Sequence, residues 1–299
     1  AMGKAFEKAT GIPTKVVDGS TGPLLARIQA EKQNPQWDII WVDGAQGMRT
    51  LAKEGMLKPY AAKADFNAIG TKLQPKDHAY VVSAASVAGA IVVNTKNVAK
   101  ADMPTTWDDL MKPAFKGKVG MNNPAISGPT YPMVAGMMQW QGGVKKGEAW
   151  FTNLKAHGLH VFDTNDNTLR ALGFGQINAA IVQDSAGIGM KAQGKPFEVI
   201  YPTPVSLLPR AIAISAKASP EVQKEAEQFI QFLLSTEGQK IALTGDPNGD
   251  SDFTPVLNGV APNADVPRLD AAKTQNVDPM VWGARQAKLT TWFTNSIVH

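Results

Sequence analysis

Gly19-Ser20-Thr21-Gly22 forms a small polar turn, and Pro23-Leu24-Leu25-Ala26-Arg27-Ile28 continues it as an amphipathic helix. A β-favouring run, Thr14-Lys15-Val16-Val17, precedes the turn and predicts a strand. Proline suits the first helical position, where a missing N–H costs nothing. The turn would then present backbone N–H groups and hydroxyls at the positive end of a helix, which is a general anion site. The alternative is an ordinary helix N-cap, because serine and threonine are common capping residues.

The same arrangement recurs later in the chain. Lys118-Val119-Gly120-Met121 predicts a strand, residues 122–126 form a turn, and Ser127-Gly128-Pro129-Thr130 opens a second helix. If the two turns face each other, the N-termini of two helices point at one ligand. That arrangement favours an anion held by uncharged donors.

The composition indicates a folded chain with a large core. The 299 residues are 43% hydrophobic and 19% charged, with a net charge of +4, and this length predicts two lobes. The absence of cysteine excludes disulfides, thiolate metal sites and a cysteine nucleophile. Lysine and arginine are scattered, which argues against nucleic-acid binding, and the four histidines lack metal-ligand spacing. We therefore expect no cofactor, no metal site and no nucleic-acid partner.

Signals of several other protein classes are absent from the sequence. No apolar run approaches the roughly 18 residues that a membrane-spanning helix needs, so we expect no span. No signal peptide is recognisable, and a processed secreted chain would look the same as a cytosolic one. The G-x-S-x-G elbow, the P-loop and the G-x-G-x-x-G fingerprint are all missing. The sequence therefore predicts a protein that is not an enzyme.

Helix and strand patterns alternate along the chain. Residues 37–42 and 177–182 predict buried strands, residues 167–172 predict a short helix, and residues 279–292 predict a last helix. Alternating strands and helices favour an α/β fold with parallel sheets covered on both faces. Ligands of such sheets bind at the carboxyl ends of strands and at helix N-termini.

Several segments resemble extracellular solute-binding proteins of ABC importers, and the similarity covers nearly the whole chain. The segments that carry it are Ala5–Ile12, Leu24–Lys32, Asn34–Asp38, Pro104–Leu110, Pro113–Val119, and Ala226–Leu234 followed by Ser235–Gln239. The run from Pro104 to Val119 is the most specific. The chain is similar to the branch that contains ferric-iron, hexose-phosphate and 2-aminoethylphosphonate binders.

The resemblance implies a two-lobe periplasmic binding protein type II fold, in which each lobe is a mainly parallel sheet flanked by helices. It implies a lobe 1 of residues 1–100 and 207–258 and a lobe 2 of residues 101–206 and 259–299, which close by hinge motion on a ligand in the cleft. Family members start with a β-strand before the first helix, whereas this sequence starts with the helix. The first family strand is thus missing here, and ligand contacts from the loop after it are not assigned.

The resemblance also locates cleft residues. Asp43 matches the place where iron binders carry a metal-ligating carboxylate, and Gln183-Asp184-Ser185 stands where they carry two adjacent tyrosines. The carboxylates of Asp43 and Asp184 would pair an amine or accept hydrogen bonds from hydroxyls, or would only be solvated. The predicted ligand-binding residues are Ser20, Thr21, Gly22, Asp43, Ser127, Gly128, Thr130, Asn167, Gln183 and Asp184.

We therefore expect a monomeric periplasmic protein that binds a small organophosphorus anion and delivers it to a permease in the inner membrane. Two turns that suit an anion and two carboxylates fit 2-aminoethylphosphonate better than a polyol phosphate. A sugar phosphate or an inorganic anion is the first alternative. Ferric iron is less favoured because no two of the four tyrosines are adjacent, and an enzyme on the same fold is the last alternative.

Overall fold

The computed structural model describes residues 1–245, 251–269 and 272–299. Its α-helices, in chain order, are α1 (Met2–Thr10), α2 (Thr21–Ala30), α3 (Gln46–Lys53), α4 (Ala68–Leu73), α5 (Thr130–Trp140), α6 (Val144–Ala156), α7 (Asn165–Gly173), α8 (Asp184–Ala192), α9 (Pro220–Leu233), α10 (Thr236–Thr244), α11 (Pro279–Gly283) and α12 (Gln286–Phe293). Its strands are β1 (Ile39–Asp43), β2 (Leu57–Lys58), β3 (Val81–Val87), β4 (Ala90–Asn94), β5 (Val119–Asn122), β6 (His160–Phe162), β7 (Ala179–Val182), β8 (Phe197–Ile200), β9 (Val205–Ser215) and β10 (Thr274–Gln275). Short 3₁₀-helices cover Lys100–Asp102, Trp107–Met111 and Pro113–Phe115, and a π-helix covers Thr294–Val298.

β9 joins the strands of the first sheet. It pairs antiparallel with β1, β2 and β3 and parallel with β10. Every residue of β9 except Arg210 is buried. Leu208 belongs to one hydrophobic cluster and Ile212 to another, so this strand runs from one core into the other. The register places Asp43 of β1 opposite Arg210.

The second sheet has the strand order β6-β5-β7-β4-β8. β5 pairs parallel with β6 and β7, whereas β4 pairs antiparallel with β7 and β8. The two sheets are therefore mixed, and the expectation of mainly parallel sheets is wrong in this respect. The reason is that β3, β4 and β9 enter their sheets without a helical crossover, and only a parallel pair requires one.

The chain passes between the two sheets through short connections. Only Ala88 and Gly89 separate β3 in the first sheet from β4 in the second, and four residues separate β8 from β9. A Cβ atom on Gly89 would lie 2.5 Å from Cγ of Met133, so this connection has no room for a side chain. Short connections of this kind absorb the rotation when two lobes close.

The C-terminal segment contacts elements of both sheets. α11 packs against α3, while Phe293 of α12 stacks edge-on against Phe151 of α6, with ring centroids 5.5 Å apart. Nε2 of Gln46 donates to the Val277 carbonyl at 3.2 Å, and the Tyr131 hydroxyl donates to the Trp282 carbonyl. Residues 277–293 therefore connect α3, which follows a strand of the first sheet, with α5 and α6, which follow a strand of the second sheet.

Three predicted elements differ in the structure. Thr14–Val17 is not a strand, and Val16 and Val17 are 75% and 53% exposed; a β-favouring run forms a strand only where a partner strand pairs with it. The predicted last helix is divided into α11 and α12. Asn167 is the third residue of α7, because Thr164 is the N-cap and accepts from the Asn167 N–H.

Candidate functional site

The two polar turns singled out in the sequence face each other and are in direct contact. The Gly22 N–H donates to the Ile126 carbonyl at 3.1 Å. A Cβ atom on Gly128 would lie 2.6 Å from Cβ of Thr21 and 2.7 Å from the Asp43 carbonyl oxygen. Only glycine allows such a close approach of the two backbones. Because the turns touch, an anion does not fit between them in this conformation, and the Gly22 N–H already has an acceptor.

A cavity of about 260 Å³ lies beside this contact. Its walls include the first turns of four helices: Thr21 and Gly22 of α2, Gln46 of α3, Tyr131 of α5, and Gln286 of α12. Each helix N-terminus carries a partial positive charge and backbone N–H groups without partners in the helix. The volume suits a small ligand rather than a drug-sized one.

Asp43 supplies the carboxylate of the cavity wall. Its Oδ1 accepts from Nε of Arg210 at 2.9 Å, and its Oδ2 accepts from Nε2 of Gln183 at 3.3 Å. The side chains of Asp43 and Arg210 are only 16% and 12% exposed, so solvent screens this ion pair weakly. The Arg210 guanidinium also lies 5.8 Å from the ring centre of Phe253. The sequence signal for Arg210 is a single cation inside an otherwise apolar strand.

Asp184 is held inside the protein, away from the cavity. Its Oδ1 accepts from the N–H groups of Val87 and Ser185, each at 2.9 Å, and its Oδ2 accepts from the Tyr201 hydroxyl at 3.3 Å. Burial raises the pKa of Asp184 to about 7, although these hydrogen bonds oppose the rise. The alternative of a solvated carboxylate is therefore wrong, because the residue is 2% exposed.

A buried polar cluster orients the second turn. Nδ2 of Asn122 donates to Oγ of Ser127 at 3.2 Å and to Oδ1 of Asn165 at 2.6 Å, and the Thr168 hydroxyl donates to Oδ1 of Asn122 at 2.5 Å. Asn167 is exposed, and its Oδ1 accepts from Arg170. The sequence predicts that Asn167 binds the ligand, and it does not point to Asn122, Asn165 or Thr168 as part of the site. The available signal was an asparagine at the end of a strand, directly before a polar turn.

The structure divides the predicted ligand-binding residues into two groups. Those that line the cavity are Thr21, Gly22, Asp43, Ser127 and Gly128. Those that lie elsewhere are Ser20, Thr130, Asn167, Gln183 and Asp184. Contact of any of them with a ligand stays a prediction.

Two kinds of feature are absent from the described part of the chain: clusters of metal-binding side chains and helices that could span a membrane. Within residues 1–245, 251–269 and 272–299, no group of three or more His, Cys, Asp or Glu side chains is arranged to hold a metal ion. Over the same residues, no helix combines the length and the apolar character that crossing a bilayer requires.

Two mixed sheets flanked by helices, with a cavity beside the contact between two helix starts, are the architecture of a two-lobe solute-binding protein. The family described as bacterial extracellular solute-binding protein matches residues 1–274. The chain belongs to this family, which confirms the resemblance seen in the sequence. Members of the family are solute-binding transport proteins rather than enzymes.

Relatives of this chain are named for different solutes. The chain is 25% identical over 256 residues to the major ferric iron-binding protein of Neisseria meningitidis, which covers 82% of this chain and 74% of that protein. It is 23% identical over 240 residues to a protein of Salmonella paratyphi A named as a putative 2-aminoethylphosphonate-binding periplasmic protein, which covers 79% and 68% of the two chains.

Solved structures of periplasmic binding proteins share the fold. The protein AfuA of Actinobacillus pleuropneumoniae, solved with fructose 6-phosphate bound, superimposes with a TM-score of 0.87 over 99% of this chain and 94% of its own, at 21% identity. The type II periplasmic binding fold expected from the sequence is thereby confirmed.

Proposed function

We propose that this protein is the periplasmic substrate-binding component of an ABC importer, and that its ligand is a small organophosphorus anion, best represented by 2-aminoethylphosphonate. The observation that carries the proposal is the cavity bordered by the first turns of four helices and by the carboxylate of Asp43. One end of such a site suits an anion and the other suits an ammonium group. In this proposal the closed protein docks as a monomer on a permease in the inner membrane.

The phosphonate is placed at the helix N-termini. The hydroxyls of Thr21 and Ser127 and the backbone of Gly128 line this side of the cavity, and hydrogen bonds from such donors to a charged oxygen are about twice as strong as neutral ones. Asn122 holds the Ser127 hydroxyl in place. The ammonium group of the ligand is placed against Asp43.

The lobes are proposed to rotate about the short connections between the sheets. We assign residues 1–87 and 205–258 to lobe 1 and residues 90–200 and 259–299 to lobe 2; the boundary expected at residue 100 moves because β4 pairs within the second sheet. The hydrogen bond between Gly22 and Ile126 then joins the two lobes, as does the one between Gln183 and Asp43. Contacts of this kind support the interpretation of the present structure as a closed form.

A sugar phosphate is the second candidate. The remaining polar groups of the cavity wall are uncharged hydroxyls and amides, such as those of Thr50, Gln286 and Thr290, and these suit sugar hydroxyls. Ferric iron is less favoured, because iron prefers phenolate and carboxylate oxygens. Tyr131 is the one tyrosine of the cavity wall, and its hydroxyl donates to the Trp282 carbonyl.

The test is a calorimetric titration of ligand-free protein, prepared by unfolding, dialysis and refolding. The panel is 2-aminoethylphosphonate, glucose 6-phosphate, fructose 6-phosphate, inorganic phosphate and ferric citrate. Tight binding of 2-aminoethylphosphonate, recovered unchanged by phosphorus NMR, supports the proposal. Binding of sugar phosphates alone would transfer the assignment to the second candidate. Binding of ferric citrate alone would overturn both, and consumption of a ligand would indicate an enzyme.

A further inference from the structure

Gln46 carries a buried acceptor that has no partner in the protein. The residue is 2% exposed and is the first residue of α3. Its Nε2 donates to the Val277 carbonyl at 3.2 Å, whereas its Oε1 is buried without a hydrogen bond. The amide orientation is fixed, because exchanging the two atoms would set Oε1 against the Val277 carbonyl oxygen, and two acceptors repel.

The Oε1 atom lies at the wall of the cavity. A Cβ atom built on Gly44 would have three neighbours: the Gly128 carbonyl oxygen at 3.3 Å, Cγ of Pro132 at 3.5 Å and Oε1 of Gln46 at 3.6 Å. All four residues line the cavity, and Val277 is not among the lining residues. The amide nitrogen is thus bound to a residue outside the cavity wall, and the amide oxygen lies beside Gly44, which follows Asp43 in the chain.

We propose that Gln46 is a specificity-determining residue that requires a hydrogen-bond donor on the ligand. This inference rests on the proposed function and adds to it the chemical class at the second end of the ligand. A buried acceptor without a partner is unfavourable, and a donor that reaches it removes this cost. An ammonium group has three donors, so it can serve Oε1 of Gln46 and the carboxylate of Asp43 together. An alkylphosphonate with a methyl group at this end serves neither.

The experiment compares two ligands of equal shape. Propylphosphonate differs from 2-aminoethylphosphonate only by a methyl group in place of the ammonium group. For the wild-type protein we expect about hundredfold tighter binding of 2-aminoethylphosphonate, about tenfold from each of the two acceptors. In Gln46→Met, which removes the acceptor at similar volume, the ratio of the two dissociation constants should fall by about tenfold, with a remaining preference due to Asp43. A ratio equal to that of the wild type would overturn the inference.

Two further variants control the comparison. Gln239→Met makes the same change at an equally buried glutamine outside the cavity wall, whose Nε2 donates to the Leu233 carbonyl at 2.9 Å and whose Oε1 also has no partner, and it should leave the ratio unchanged. Gln46→Glu keeps an acceptor, so it should retain the preference for the amine, although its second oxygen would face the Val277 carbonyl and lower the stability. If neither variant folds, the two wild-type dissociation constants still test the inference. Equal losses for both ligands in Gln46→Glu would overturn the inference. If the wild type binds neither phosphonate, the proposed function fails and this inference fails with it. Equal wild-type affinities overturn the inference and the placement of the ammonium group against Asp43, but they leave the proposal of an organophosphorus ligand in place.

Discussion

Asp184 shows how one buried carboxylate ties distant parts of the chain together. It lies at the start of α8, yet it accepts hydrogen bonds from Val87 at the end of β3 and from Tyr201 just after β8. Both partners are next to the connections between the sheets. The residue thereby fixes the geometry of the region about which the lobes are proposed to rotate.

The raised pKa of Asp184 predicts a pH dependence of stability. Its pKa is about 7 in the folded state, against a usual value of 3.8, so between these values the folded protein binds more protons than the unfolded one. The contribution of Asp184 to the free energy of unfolding therefore falls as the pH rises from about 4 to about 7, by at most about 1.4 kcal/mol per pH unit. Urea unfolding at pH 5, 6, 7 and 8 measures this.

Asp184→Asn is the matched variant, because it keeps the shape and an acceptor but does not titrate. We expect the stability difference between the variant and the wild type to shift in favour of the variant as the pH rises through 7. Parallel pH profiles for the two proteins would show that Asp184 does not titrate in this range.

Asp43→Asn is expected to weaken binding of an amine-bearing ligand more than binding of inorganic phosphate. The change removes the charge that we propose pairs with the ammonium group, while the helix N-termini that hold the anion stay in place. We expect at least about tenfold weaker binding of 2-aminoethylphosphonate by calorimetry. Asp38→Asn alters an exposed carboxylate just before β1 and should have no effect. Equal losses for both ligands would place the amine elsewhere.

At the scale of single elements, the sequence predicts what local chemistry decides. The helices that follow the two polar turns are both present, starting at Thr21 and Thr130, as are the strands at residues 39–43 and 179–182, of which only the second is buried throughout. The prediction of a strand at Thr14–Val17 was wrong because a strand needs a pairing partner, which local sequence does not reveal. The prediction of one continuous C-terminal helix was wrong because tertiary contacts divide it. One such contact is at Gly283, where a Cβ atom would lie 2.9 Å from the Gln46 carbonyl oxygen.

Asp109 stabilises the most specific of the family segments. Its Oδ2 accepts from the N–H groups of Thr105 and Thr106 at 2.7 and 2.9 Å. Burial alone would raise the pKa of Asp109, but hydrogen bonds from Lys112 and from these N–H groups lower it below its usual range. A lowered pKa contributes stability above the pKa of the unfolded chain, and this contribution is lost as the pH falls through the folded value.

Asp109→Asn should therefore lower the free energy of unfolding at pH 7 by about 1 kcal/mol. The difference from the wild type should shrink as the pH falls below about 4. Asp102→Asn, an exposed carboxylate in the preceding 3₁₀-helix, is the control and should be neutral. A difference that stays constant with pH would show that the charge of Asp109 does not contribute.

At the scale of the whole molecule, Gly128→Ala tests whether the contact between the two turns holds the protein closed. The added methyl group would meet Thr21 and the Asp43 carbonyl oxygen, so the turns must separate. We expect a larger radius of gyration by small-angle X-ray scattering and weaker ligand binding, with little change in thermal stability. Gly19→Ala, which meets only Leu24 at 3.6 Å, should behave as the wild type. An unchanged radius of gyration for Gly128→Ala would contradict the closed interpretation.

The candidate site is less predictable than the fold. Sequence patterns identified both turns, since turn chemistry is a local feature, and the resemblance to the family identified Asp43. They did not identify Gln46 or the cluster around Asn122, because each of these gains its place from a residue distant in sequence: Val277 and Asn165, respectively. Asp184 was found, but its burial depends on the packing of three separate elements.

The position of α12 has a consequence for how the protein is made. Gln286, Ala287 and Thr290 of this helix form part of the cavity wall, whereas the strands of both sheets precede residue 276. During synthesis, β1 to β9 therefore leave the ribosome before this part of the cavity wall. The complete wall forms only after these strands have been made, so a solute that needs all of it cannot guide their assembly.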